Sequence, residues 1–413
     1  MLASTVSGFG CRDSSGLPAL RALGPLVACA TQSEEKFVLS SNVIATPHPP
    51  RVLHFVTGGF SGGATQVAIA LVRAALVSAD SEPLLVLRRK THTNPERVEE
   101  LRREGLPLRL VPGALHLLTI IALVRVCRQF KPDILVAHGY SEHLWGRYAA
   151  LLAGVPHCVH VEHNTRERYN AWRLIQSRWL ARRTDRIVGC SEGVRQVLLG
   201  QGMPASRTIA IGNGIGLAPF ARADDHPWEA RKLGVVMVAR LARQKDHATL
   251  IRATAMLRQR GIELDVLLVG GGKPRFRSRL QALAMDCGVQ DLVVFAGVRR
   301  DVPDLLMQHR FAVLSTHYEG MPLAVLEGMA AGCAVIASAV PGVQEVLRDG
   351  IDGRLFKAGD AESLCETLQQ LIDDSATAKA FANEARRRAQ NEFSREVMAS
   401  RYQQLYEDVM AGR

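Results

Sequence analysis

No stretch of this sequence is long and apolar enough to span a bilayer. The longest apolar segments, residues 117–124 and 311–314, fall far short of the roughly 20 residues that a spanning helix needs. The eight cysteines are scattered, with no C-x-x-C and no Cys/His spacing of a metal site. That excludes a zinc-ribbon chain and predicts reduced, buried thiols and a cytoplasmic protein. There is no G-x-G-x-x-G with an acidic partner, which removes the sequence basis for a dinucleotide-dependent oxidoreductase. No Walker Lys-Ser/Thr follows any glycine loop, and no D-x-D occurs, so a carboxylate-held catalytic metal is not expected. No aromatic-basic module suggests a nucleic-acid reader. Residues 1–50 lack periodicity, and Arg21 and Pro25 interrupt their one mildly apolar stretch. They predict a poorly ordered extension rather than a signal peptide.

What is present fits a soluble globular chain of two domains. It has 413 residues, 47% of them hydrophobic and 22% charged, with a formal net charge of +11. The positive balance suits an anionic partner such as a nucleoside diphosphate, an anionic lipid or a nucleic acid. From Arg51 onward, apolar runs alternate with amphipathic stretches, which predicts parallel sheets with helical crossovers. Expected strands begin at Arg51, Leu84, Leu108, Ile134, Pro156 and Ile187, with helices over residues 65–77 and 114–130. The glycine loop Thr57-Gly58-Gly59-Phe60-Ser61-Gly62-Gly63-Ala64 follows the first strand. His138, before Gly139-Tyr140-Ser141, and His163 both fall at carboxyl ends of strands, where open α/β sheets bind ligands. Residues 216–231, with Pro219, Asp224, Asp225 and Pro227, read as a linker to a second domain that opens with Val235-Val236-Met237-Val238.

Residues 166–186 carry seven arginines: Arg166, Arg168, Arg173, Arg178, Arg182, Arg183 and Arg186. Trp172, Ile175 and Trp179 share one helical face. Two readings are open. The face packs on the core and the arginines are solvated, or the helix lies on an anionic membrane surface.

The most informative stretch runs from Val313 to Gly332. Phe311-Ala312-Val313-Leu314 reads as a buried strand and Ser315 to Gly320 as a polar turn. A helix is expected from Pro322, at its first position, to a stop at Gly332. Glu319 lies in the loop and Glu327 in the helix. Free N–H groups near Gly320, Met321 and Leu323 favour an anionic ligand such as a phosphate.

This stretch resembles the E-x7-E signature of retaining glycosyltransferases of the GT-B fold, family 4. The matching residues are Glu319-Gly320-Met321-Pro322-Leu323 and Glu327-Gly328-Met329-Ala330-Ala331-Gly332, where the family more often has Ala in place of Gly328. The resemblance covers about residues 51–410. It extends to Ile209-Ala210-Ile211-Gly212-Asn213-Gly214, to the Arg240/Lys245 spacing and to Gly350, Asp352-Gly353, Leu355 and Gly359-Asp360. It implies an α/β protein of two Rossmann-like domains facing a cleft, over residues 51–215 and 232–395. A C-terminal helix, residues 396–413, would cross back to the first domain.

The resemblance also implies roles. Glu327 would hold the donor's ribose hydroxyls, and Glu319 the sugar hydroxyls. Arg240 and Lys245 would hold the diphosphate. Gly271, Val298 and Arg299 would lie beside the nucleotide, and Gly62 and Gly63 beside the sugar. Gly320, Met321, Pro322 and Leu323 would offer backbone groups, and His163 would stand near the reacting carbon. The expected donor is a UDP-sugar or GDP-mannose, with no cofactor and no metal. The acceptor would be a glycan or a lipid-linked molecule in cell-surface polysaccharide or glycolipid synthesis. Peripheral contact with an anionic membrane on its cytoplasmic face is expected, and no nucleic-acid partner. A sugar-nucleotide epimerase of similar shape is the alternative.

Overall fold

Two runs of Val-, Ile- and Leu-rich strands form two fully parallel sheets, as expected for strands covered on both faces. In the computed structural model the described residues are 48–413, except 61, 92, 140–141 and 166–168. The expectations for residues 1–47, Ser61, Tyr140, Ser141, Arg166 and Arg168 lie outside the described residues.

The first sheet contains β1 (Arg51–Thr57), β2 (Glu82–Arg88), β3 (Leu108–Val111), β4 (Ile134–His138), β5 (His157–Glu162), β6 (Arg186–Gly189) and β7 (Thr208–Ala210). Its order is β3-β2-β1-β4-β5-β6-β7. The second contains β8 (Lys232–Val238), β9 (Asp265–Val269), β10 (Val293–Gly297), β11 (His309–Leu314), β12 (Ala334–Ser338) and β13 (Arg354–Phe356), in the order β10-β9-β8-β11-β12-β13. Both orders reverse direction once, between β1 and β4 and between β8 and β11. Such switch points open a crevice at the strands' carboxyl ends.

The last helix, Arg395–Met410, returns to the first sheet. Ser394 caps it by accepting from the Val397 N–H. Met398, Tyr402, Leu405, Tyr406 and Val409 recur at helical spacing and pack with Val52, Val136, Val159 and Val161 of the first sheet. The two halves also meet through side-chain hydrogen bonds. Glu345 accepts from the Glu192 and Gly193 N–H groups at 2.6 and 2.5 Å, at the start of the helix Glu192–Gly200. This is a carboxylate at a helix N-terminus, where free N–H groups and the dipole favour negative charge.

Several expectations shift. The first helix is Gly63–Ser78 and the third His116–Phe130. A helix at Pro95–Arg103, capped by Asn94, was not anticipated. Pro322 is the N-cap of the helix Leu323–Ala330 rather than its first residue, while Gly332 has the positive φ of a helix stop. In the linker, residues 216–231, Phe220 and Trp228 are buried, and Arg231 donates to the Ala331 and Gly332 carbonyls at 3.0 and 2.6 Å.

The helix Ala171–Ala181 settles the packing question raised by its apolar face. Trp172, Ile175 and Trp179 are 68%, 56% and 45% exposed, so that face does not pack on the sheet. Only Ser177, Leu180 and Ala181 are buried. The cysteines described, 127, 158, 190, 287, 333 and 365, are all unpaired, and all but Cys287 are buried.

Candidate active site

A cleft of about 460 Å³ lies where the carboxyl ends of both sheets meet. That is a size suited to a small-molecule ligand. Its lining includes every residue to which the resemblance assigns a role: His163, Arg240, Lys245, Gly271, Val298, Arg299, Glu319 and Glu327, with Gly62, Gly63, Gly320, Met321, Pro322 and Leu323.

The loop after β11 is held by its own hydrogen bonds and by the loop after β8. Thr316 Oγ1 donates to the Gln244 carbonyl at 3.0 Å, and its group lies 2.9 Å from Glu319 Oε1. The His317 N–H donates to the Gln244 carbonyl at 2.9 Å, and Gln244 Nε2 donates to the Tyr318 carbonyl at 2.7 Å. Lys245 Nζ donates to Glu319 Oε1, so the two charges expected to contact different parts of a donor are paired with each other. Both side chains are largely buried, which strengthens the pair while making either charge costly to leave alone. Arg240 is exposed and forms no ion pair with a described residue.

Glu327 differs from Glu319. Its carboxyl has no hydrogen-bond or ion-pair partner among the described residues, and desolvation by burial raises its pKa to about 7. The oxygens are therefore available to a ligand. Gly328 beside it is explained by space: a Cβ there would stand 2.9 Å from the Ala312 Cβ and 3.3 Å from Val335 Cγ2. Ala, common in the resembled family at this position, would require the strand and helix to separate locally.

The halves approach closely at the cleft's floor. A Cβ at Gly320 would lie 2.2 Å from the His163 carbonyl oxygen, so glycine is needed for this approach. Thr165 Oγ1 donates to the Glu319 carbonyl at 3.0 Å, and Asn213 Nδ2 donates to the Met321 carbonyl at 3.2 Å. Asn213 thus has a structural task in joining the halves.

His163 does not stand alone. Its Nε2 is 3.2 Å from His138 Nδ1, and His138 Nε2 is 3.1 Å from His54 Nδ1. Burial depresses the pKa of all three: His54 to about 3, His163 to about 4 and His138 well below the ordinary value. The rings are therefore neutral at physiological pH. The only sign of His54 in the sequence is one polar residue inside an apolar strand.

On the opposite face of β5, His143, His160 and Glu162 bring potential metal-ligand atoms within 4.8 Å of one another. Both nitrogens of His143 are already engaged, with Arg147 Nη2 at 2.6 Å and the Tyr169 hydroxyl at 2.5 Å. A guanidinium at that distance opposes a second cation, so the cluster is a packed polar network.

Comparison with known proteins now adds to this geometry. Residues 222–388 match the family model of glycosyl transferases group 1, and residues 61–218 match that of Glycosyltransferase Family 4. "Putative glycosyltransferase EpsF" of Bacillus subtilis is 30% identical over 312 residues, which cover 70% of this chain and 79% of that one. The chain belongs to glycosyltransferase family 4. A second relative of this glycosyltransferase is the UDP-Gal:alpha-D-GlcNAc-diphosphoundecaprenol alpha-1,3-galactosyltransferase of Escherichia coli. It is 25% identical, covering 71% of this chain and 80% of its own. The crystal structure of Anabaena Alr3699/HepE in complex with UDP and glucose superposes with a TM-score of 0.75 at 19% identity, over 87% of this chain and all of that one. The shared architecture is GT-B, two Rossmann-like domains across a cleft. The epimerase alternative receives no support from these relatives of the glycosyltransferase.

Proposed function

We propose that this glycosyltransferase transfers a sugar from a UDP- or GDP-linked donor to a glycan or lipid-linked acceptor, with retention of configuration and without a metal. The observation that carries this reading is the convergence on one cleft of Arg240, Lys245, the uncapped start of the helix Leu323–Ala330 and the unpartnered carboxyl of Glu327. Arg240, Lys245 and the helix start supply positive potential for a diphosphate and for the charge that develops on it as the sugar departs. Glu327 accepts from the ribose hydroxyls. Glu319 leaves Lys245 when donor arrives and accepts from the sugar hydroxyls. Gly62 and Gly63 border the sugar, and Gly271, Val298 and Arg299 border the base.

Incubation with a panel of nucleotide-sugars and acceptors in excess EDTA tests the reading. Full activity is expected, and the product's anomeric coupling should match the donor's. An inverted product, or activity that returns only with Mg²⁺ or Mn²⁺, would reject the corresponding part.

The acceptor side favours a membrane-borne substrate. Beside the exposed Trp172, Ile175 and Trp179, the third helix exposes Leu115, Leu117 and Leu118 near its start. Apolar side chains next to arginines are what an interfacial surface requires. The E. coli relative is named for an acceptor on diphosphoundecaprenol. The expected setting is peripheral, on a cytoplasmic membrane face, in cell-surface polysaccharide or glycolipid synthesis. Sedimentation with liposomes should show binding to anionic vesicles that weakens at high salt, because exposed charges are screened within about 8 Å at physiological ionic strength. Trp172→Ala with Trp179→Ala should reduce it severalfold. Equal failure to bind anionic and neutral vesicles would make the acceptor a soluble molecule.

A further inference from the structure

The pairing of strands brings three histidines, far apart in sequence, into one line. In the ladder His54 of β1 lies opposite Val136 of β4, and His138 lies opposite Val161 of β5. Side chains alternate between faces along a strand. His54, Val136 and His138 therefore share a face, and so do Val161 and His163. The rings follow one another with centroids 5.4 and 5.5 Å apart.

One end of the line is in the cleft, which His163 and His138 border. The other end is at a separate groove of about 290 Å³ between the helices Gly63–Ser78 and Arg395–Met410, which His54 lines together with Tyr402 and Tyr406. His163 Nδ1 is buried and has no hydrogen-bond partner in the protein. A buried polar atom without a partner is costly unless a ligand supplies one.

Neutral imidazole carries one N–H, and each N···N contact needs one proton. That leaves two arrangements for the whole chain. In the first, all three rings are protonated on Nε2: His138 donates to His54, His163 donates to His138, and His163 Nδ1 is a bare acceptor. In the second, all three are protonated on Nδ1, and the bare nitrogen is His54 Nε2. No mixed arrangement of neutral rings satisfies both contacts.

We propose that His54, His138 and His163 form a concerted tautomeric relay between the cleft and the groove, through which the proton of the acceptor hydroxyl leaves. The proposal rests on the transferase reading above. As the acceptor oxygen bonds to the anomeric carbon, the bond from that carbon to the diphosphate oxygen breaks, and its electron pair stays on the diphosphate. The acceptor's proton passes to His163 Nδ1. The Nε2 proton of His163 moves to His138 Nδ1, and that of His138 Nε2 moves to His54 Nδ1. The Nε2 proton of His54 passes to water in the groove. No ring becomes charged after the concerted shift, as suits groups whose burial opposes charge. The reverse shift through water in the emptied cleft resets the chain. His54 and His138 are positioning residues: they decide which nitrogen of His163 carries its proton, and so whether Nδ1 can accept one.

The test is two-bond ¹H–¹⁵N NMR of the full chain labelled in histidine, without substrate at pH 7.5, together with kinetics of His54→Phe. All three rings should be protonated on the same kind of nitrogen. In His54→Phe both tautomers of His163 should appear, and kcat should fall at least tenfold with the KM for donor unchanged. Mixed tautomers among the three rings of the unmodified protein would overturn the proposal. So would a His54→Phe variant with wild-type kcat and an unaltered His163 tautomer. The NMR result on the unmodified protein is independent of activity. Failure of the relay is therefore distinguishable from failure of the transferase reading, which appears as absence of nucleotide binding.

Discussion

Replacing Lys245 by Ala is expected to weaken nucleoside-diphosphate binding at least tenfold and to lower the melting temperature of the ligand-free protein. Two separate causes act. In the complex, Lys245 supplies a charge-assisted contact to the diphosphate, worth roughly 1.5–3 kcal/mol. In the free protein, Lys245 is the ion-pair partner of Glu319, whose one other carboxylate partner among the described residues is the Thr316 hydroxyl. Removing one member of a largely buried pair leaves the other charge uncompensated, at a cost of about 3–5 kcal/mol. The double variant Lys245→Met with Glu319→Gln separates the causes. It should recover much of the lost melting temperature, because no lone charge remains, while nucleotide affinity stays low. Calorimetric unfolding and nucleotide titration of both variants check this. A double variant that regains affinity would remove Lys245 from the diphosphate site.

The second large effect concerns Glu327 and pH. Burial holds its carboxyl at about 7 against an ordinary 4.5, so the folded state binds a proton more tightly than the unfolded chain. Below the unfolded value both states are protonated and Glu327 has no pH effect. Between about 4.5 and 7 stability falls as pH rises, and above 7 a constant penalty of about 3 kcal/mol remains. Glu327→Gln lacks this penalty. Its stability relative to the parent should therefore rise through that window and level off above it. Binding should move oppositely. Ribose hydroxyls donate to an ionised carboxylate, so nucleotide affinity of the parent should increase up to about pH 7 and then flatten. The Gln variant at pH 8 should bind at least tenfold more weakly, with the rise removed. Unfolding curves and nucleotide titrations from pH 5 to 8 measure both trends. Parallel stability profiles for the two proteins would contradict the environment described for Glu327.

The strand–loop–helix around Glu319 and Glu327 could be read from the sequence because its signals are local. An apolar run, a polar turn and two glycines fix the geometry within 22 residues, from Phe311 to Gly332. Alternation of strand and helix likewise conveyed the parallel sheets. Features that depend on strand order were not legible. His54 meets His138 only because β4 is inserted next to β1, 84 residues away in sequence. The Lys245–Glu319 pair joins loops 74 residues apart. The apolar stripe of Trp172, Ile175 and Trp179 has the same periodicity whether it faces a sheet or solvent, so periodicity could not choose between the two. The reason for Gly328 is the Ala312 Cβ beneath it, on a strand whose packing against this helix no local signal conveys.

On the proposed function, the cleft binds a nucleoside diphosphate through Arg240, Lys245 and Glu327 without a metal. Calorimetric titration of the full chain with UDP and with GDP, in EDTA at pH 8, tests it most directly. Saturable binding of at least one of them is expected, with one site per chain, lost in the variant carrying both Arg240→Ala and Lys245→Ala. Absence of binding by either nucleotide, or binding unchanged in that variant, would contradict it.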